Sequence, residues 1–143
     1  MPKLYLSLGS NLGDREKNLS RAISMLSKAL GSEAESVSSF IETKAWGFDG
    51  PDFLNCAVRY ECKLGPFAVL DICKDIETAL GRVQNVEYDT QGRRIYHSRP
   101  VDIDILLYGD LRMVTETLEI PHPRMEEREF VQIPLRQIFE RND

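Results

Sequence analysis

A chain of 143 residues suffices for one domain that buries its own core without cross-links. Its 18 basic and 23 acidic residues leave a formal charge of −5, which speaks against a nucleic-acid binder held by bulk charge. Cys56, Cys62 and Cys73 are odd in number and lack a CxxC spacing, so neither a disulfide framework nor a zinc site is expected, and a reducing, cytoplasmic setting is. No segment approaches the ~20 apolar residues that span a bilayer, and the N-terminal apolar stretch is too short for a signal peptide.

Residues 3–9 alternate, with Leu4, Leu6 and Leu8 on one side and Tyr5 and Ser7 on the other, the pattern of a half-buried strand. Gly9 to Asp14 reads as a turn, and Asp14 suits the cap of a following helix. That stretch lacks the Gly-Lys-Ser/Thr ending of a P-loop and the GxGxxG spacing of a dinucleotide site. Leu19, Ala22, Ile23, Leu26 and Leu30 recur at helical spacing up to Gly31. Residues 35–42 read as a second strand. Residues 53–63 read as a third, with Phe53, Asn55, Ala57 and Arg59 facing away from Leu54, Cys56, Val58 and Tyr60.

Pro66 opens a helix that runs to Gly81, with Leu70, Cys73, Ile76 and Leu80 inward. A long polar stretch, 82–98, precedes a fourth strand at 101–109. The remainder, with Pro121, Pro123 and Pro134, is expected to be irregular apart from short pieces. The order is βαββαβ in a single domain, 1–143. It predicts an α+β, ferredoxin-like antiparallel sheet with two helices on one face and the other left for loops, solvent or ligands. That architecture hosts many functions, so chemistry must come from particular residues.

Arg99-Pro100-Val101-Asp102-Ile103-Asp104-Ile105 is the most informative segment. Strand periodicity puts Ile103, Ile105 and Leu107 on one face and both aspartates on the other, with their Cα atoms about 6–7 Å apart. Two adjacent carboxylates repel unless a cation compensates them, and sparse hard oxygen ligands suit Mg²⁺. An isolated Asp-x-Asp is more often a solvated acidic face. Here Phe53, Asn55, Tyr5 and Ser7 are expected on the same side, and Arg82, Arg93, Arg94 and Arg99 lie in or beside the loop before the acidic strand. Carboxylates for metal and guanidinium groups for phosphate oxygens are the equipment of phosphoryl transfer.

The segments Gly9–Asp14, Pro51–Val58, Gly81-Arg82, Arg99–Ile105 and Ile120–Pro123 together resemble the 6-hydroxymethyl-7,8-dihydropterin pyrophosphokinases of folate synthesis, from about Leu4 to Ile138. The resemblance implies the ferredoxin-like fold and transfer of the β,γ-diphosphate of ATP to the pterin hydroxymethyl oxygen, releasing AMP. It implies that Asp102 and Asp104 hold two Mg²⁺ ions and that Arg82 and Arg99 act on the phosphates. Thr43, Phe53, Asn55 and Phe130 match pterin-binding positions, the two phenylalanines stacking on the ring. Lys74, Glu77, Ile105, His122 and Arg128 match ATP-contacting ones.

Gln84 stands where the family usually has a second arginine, and the resemblance leaves Arg93 and Arg94 as the two candidates for that phosphate contact. The implied partners are the two small substrates, with no nucleic acid and no membrane, and the expected state is a monomer. The long loops 43–52 and 82–98 are expected to close over the nucleotide. The rival readings are a non-catalytic small-molecule-binding module and an RNA-binding domain on the same fold. The second would want aromatic residues on two central strands in basic surroundings.

Overall fold

The computed structural model describes residues 2–44, 52–81, 87–88, 90–92, 94–95 and 100–139. Strand β1 (Lys3–Ser10) leads through the Asp14 cap into helix α1 (Arg15–Leu30). The Asp14 carboxylate accepts from the Lys17 N–H at 3.1 Å, and Gly31 ends the helix at φ 74°, a left-handed conformation that favours glycine. Two short strands, β2 (Ser36–Val37) and β3 (Ile41–Thr43), stand where one continuous strand is expected. Strand β4 (Phe53–Glu61) pairs with both, and Pro66 opens helix α2 (Pro66–Ala79).

A small hairpin of β5 (Glu87–Tyr88) and β6 (Arg94–Ile95) falls in the polar stretch, and β7 (Asp102–Tyr108) follows. A second hairpin, β8 (Met113–Val114) with β9 (Glu119–Ile120), and a 3-10 turn at Met125–Glu127 lead to helix α3 (Glu129–Ile138). The main sheet runs β2–β4–β1–β7, with β3 also on β4. Counting β2 and β3 as one interrupted strand, this is the ferredoxin-like order, and the main-sheet pairings are antiparallel.

The principal core lies between the sheet and the first two helices. Leu4, Leu6, Leu8, Cys56, Val58 and Tyr60 project onto Leu19, Ala22, Leu26, Val69, Cys73 and Ile76. Tyr60 takes its hydroxyl into this layer and satisfies it on Ser27 Oγ at 2.9 Å and the Ile23 carbonyl. Burial pushes the thiols of Cys56 and Cys73 up to about 12, so both are inert, reduced packing groups.

The opposite face is not wholly open, because α3 covers one end of it. Val131, Leu135 and Ile138 pack on Tyr5, Ala57 and Leu106, with Met125 beside them. Tyr5, expected on the ligand face, is on that side but only 2% exposed beneath α3. The Ile138 carbonyl accepts from the Arg59 guanidinium, and Gln137 Oε1 accepts from the Ser39 N–H at 2.8 Å. Arg59 also pairs with Glu35 at 3.2 Å, which in turn holds Lys3 at 2.8 Å.

Strand β7 departs from simple alternation at one point. Leu6 pairs with Ile105 and Tyr5 with Leu107, so Leu106 is an extra residue in the ladder. Ile103 and Ile105 sit in the helix-side core as expected. Leu107 does not: beyond the irregularity it packs with Leu106 in the α3 cluster, and Tyr108 returns to the helix side. Because Leu135 is 5% exposed and central to the α3 contact, Leu135→Ala should lower unfolding free energy by about 2–4 kcal/mol, read by urea denaturation.

Candidate active site

Register decides what meets at the uncovered end of the sheet. Asn55 pairs with Gly9 and Gly9 with Asp102, while Ala57 pairs with Ser7 and Ser7 with Asp104. Directly opposed residues point to the same face, so amide and carboxylates share one surface with Phe53. Two interstrand spacings place the Cα atoms of Asn55 and Asp102 roughly 10 Å apart across Gly9. Both aspartates are part-exposed there, at 36% for the Asp104 side chain.

Gly9 lies in β1 rather than in a turn. A Cβ at this position would come within 2.9 Å of Asn55 Oδ1 and 3.3 Å of the Phe53 ring. The bare backbone thus lets the amide and the aromatic ring lean inward over the floor. Asn55 Nδ2 donates to Thr43 Oγ1 at 2.6 Å, and Thr43 pairs with Phe53 in register. Thr43, Phe53 and Asn55 therefore form one bonded group at the β3–β4 end.

A second group gathers beside β7. His122 N–H donates to the Leu106 carbonyl at 3.0 Å, fixing the segment that follows Ile120-Pro121, whose peptide bond is cis, against the strand edge. His122 Nδ1 accepts from the Arg124 N–H at 3.3 Å, so the neutral ring carries its proton on Nε2. Nε2 faces Asp104 Oδ1 at 4.0 Å. Burial first, then the Arg128 charge, lowers the His122 pKa, against the opposing pull of Asp102 and Glu119. The ring is thereby held neutral, as an N–H donor rather than a cation. The Arg128 guanidinium lies 5.6 Å from the centre of the Phe130 ring, which links this group to α3.

From the helix side, the buried Glu77 of α2 accepts the Ile103 N–H through Oε2 at 2.8 Å. It thus grips the residue between the two aspartates. Lys74, one turn earlier, is exposed on α2. Ile105 is 5% exposed with its side chain in the core, so that side chain is not part of the open face. Arg82, Arg93 and Arg99, with residues 45–51, lie outside the described residues, and of the Arg94 side chain nothing is described. The expected closure of the loops 43–52 and 82–98 falls largely on these.

Among the described residues no three acidic, thiol or imidazole groups cluster as a metal cage. The donor set that remains is two carboxylates on one strand. That fits a hard divalent ion which keeps water and completes its shell from phosphate oxygens, and does not fit a structural zinc. Among the described residues no helix is long and apolar enough to cross a membrane.

The protein is thus of the α+β, ferredoxin-like class, with paired aspartates, an amide and an aromatic ring on the uncovered surface of its antiparallel sheet. Residues 5–140 match the family described as 7,8-dihydro-6-hydroxymethylpterin-pyrophosphokinase. The chain is 45% identical over 137 residues to a protein of Porphyromonas gingivalis named 2-amino-4-hydroxy-6-hydroxymethyldihydropteridine pyrophosphokinase, covering 94% of this chain and 89% of that one. Proteins of the same name from Bacillus subtilis and Aquifex aeolicus are 41% and 38% identical. Those matches cover 94% and 96% of this chain, and 76% and 81% of the respective relatives. The chain belongs to the 7,8-dihydro-6-hydroxymethylpterin-pyrophosphokinase family.

Gly9→Ala should displace the Asn55 amide and the Phe53 ring, seen as shifted side-chain NMR resonances of those two residues, with the fold retained by circular dichroism. For His122 the depressed folded pKa means that the unfolded chain binds its proton first. Its contribution to stability is therefore full above about pH 6.5 and lost as pH falls from there through the lower folded value. In metal-free protein, His122→Gln should flatten that part of the stability–pH curve.

Proposed function

We propose that this chain transfers the β,γ-diphosphate of ATP to the hydroxymethyl oxygen of 6-hydroxymethyl-7,8-dihydropterin and releases AMP, a step of folate synthesis. Family membership supports the activity. The observation that supports the residue assignment is the register row Asn55–Gly9–Asp102, which sets an amide and a carboxylate on one floor.

In this reading the pterin lies at the β3–β4 end. Phe53 and Phe130 stack on its faces, and Asn55 pairs with its polar edge in an orientation set by Thr43. The nucleotide lies along β7. His122 Nε2–H donates to a phosphate oxygen, Arg128 adds charge, and the Ile105 main chain and Lys74 contact the remainder. Glu77 acts by holding Ile103, and hence both aspartates, in place. Two Mg²⁺ ions held by Asp102 and Asp104 would supply charge compensation and orient the triphosphate for in-line attack.

Arg82 and Arg99 would offset charge on the transferring group, with Arg93 or Arg94 in support. A new oxygen–phosphorus bond forms at the β-phosphorus as the pterin hydroxyl loses its proton to solvent, while the bridge to the α-phosphorus breaks and AMP departs with the bridging oxygen. The three described cysteines are free and buried, which suits the reducing cytoplasm. Two small substrates and a single domain need no partner chain, nucleic acid or membrane.

The test is AMP release from ATP, Mg²⁺ and the hydroxymethyl pterin. Asp102→Asn and Asp104→Asn should each cut turnover roughly 10²–10³-fold or more, with unchanged circular dichroism. Turnover like that of the unmodified protein in either variant would remove the metal assignment.

A further inference from the structure

Arg15 is the first residue of α1, immediately after the Asp14 cap. The helix dipole disfavours a cation there, so α1 itself gives no reason for an arginine. Its guanidinium turns instead to the sheet. One nitrogen donates to the Asp52 carbonyl at 2.9 Å and the other to Glu42 Oε1 at 2.5 Å. Glu42 immediately precedes Thr43, and Asp52 immediately precedes Phe53.

Thr43 and Phe53 form the last register pair of β3 and β4, beyond which 44–52 connects the strands. One planar fork thus ties both feet of that connection to α1, at the pair that carries the pterin-site residues. Arg15 reaches this pair from the helix side of the sheet. It lines an open groove with Glu42, Phe40 and Leu54, away from the face that bears Asn55 and Asp102.

We infer that Arg15 is a positioning residue for pterin binding, acting through Glu42 and the Asp52 carbonyl to hold Thr43 and Phe53 in register. It touches no reacting atom. A lone exposed ion pair contributes little, and Glu42 is 60% exposed. The leverage comes from geometry: two bonds from one rigid group restrain two chain segments at once, where the β3–β4 ladder would otherwise fray. The nucleotide half of the site stands on β7, two strands away from β4, so the effect should be confined to one substrate.

The inference rests on the proposed pterin site, and two readouts separate its failure from failure of that reading. The first is steady-state AMP release by Arg15→Met, Arg15→Lys, Glu42→Gln and the double variant Arg15→Met/Glu42→Gln. Arg15→Met should raise the pterin KM about five- to twentyfold, with the ATP KM and saturating kcat within about twofold. Arg15→Lys should fall between, since an ammonium cannot fork. Glu42→Gln should give a smaller rise, and the double variant should be no worse than Arg15→Met. The second is hydrogen exchange without substrates, which should speed up at residues 41–44 and 53–55 in Arg15→Met but not in β1 or β7. An unmodified protein that fails to release AMP would refute the proposed function and leave exchange to decide the clamp. A pterin KM within twofold of the unmodified value, equal weakening of both substrates, or unchanged exchange would overturn the inference.

Discussion

The pairing of β1 with β7 is the constraint on which the site depends. Side chains on a strand alternate, so a slip of one residue would drive Asp102 and Asp104 into the layer now filled by Ile103 and Ile105. Leu4, Leu6 and Leu8 on β1, packed against both helices, make that slip prohibitive by burying the competing face. The hydrophobic effect thus presents the carboxylates indirectly, by claiming their neighbours. Glu77 reinforces the result from the outer edge of β7 through the Ile103 N–H.

The second face of the sheet is divided between stability and chemistry. At one end α3 buries Tyr5, Ala57 and Leu106. At the other, Gly9 contributes no side chain and leaves a floor bounded by Phe53, Asn55 and the aspartates. Phe130 and Arg128 stack on each other at the start of α3, and the Arg128 charge acts on His122 beside β7. Arg59 and Gln137 anchor the far end of the helix, so the wall carrying Phe130 is tied to the sheet.

Much of this was legible before any coordinates. Strands β1 and β4, the first half of β7 and the first two helices each carry a regular period, and the same-face placement of Asp102, Asp104, Asn55 and Phe53 follows from counting alone. Helix α3 was not legible, because Pro134 sits inside it and two more prolines crowd the segment before it. The split of the second strand at residues 38–40 and the extra residue at Leu106 depend on what lies opposite, which a single strand does not encode. Gly9 read as a turn glycine, although its reason is the close approach of Asn55 and Phe53. Arg15 and Arg59 gave no signal either, since their partners lie 37 and 79 residues away.

The central claim is that two strand carboxylates meet divalent ions and a triphosphate at the uncovered end of the sheet. The most direct measurement is a crystal structure with Mn²⁺, the pterin and an ATP analogue carrying a methylene bridge between the α- and β-phosphorus atoms, with anomalous scattering locating the metal. The account predicts anomalous peaks within ligand distance of Asp102 and Asp104 and of phosphate oxygens. A nucleotide bound with its metal elsewhere, or with neither carboxylate in contact, would contradict it.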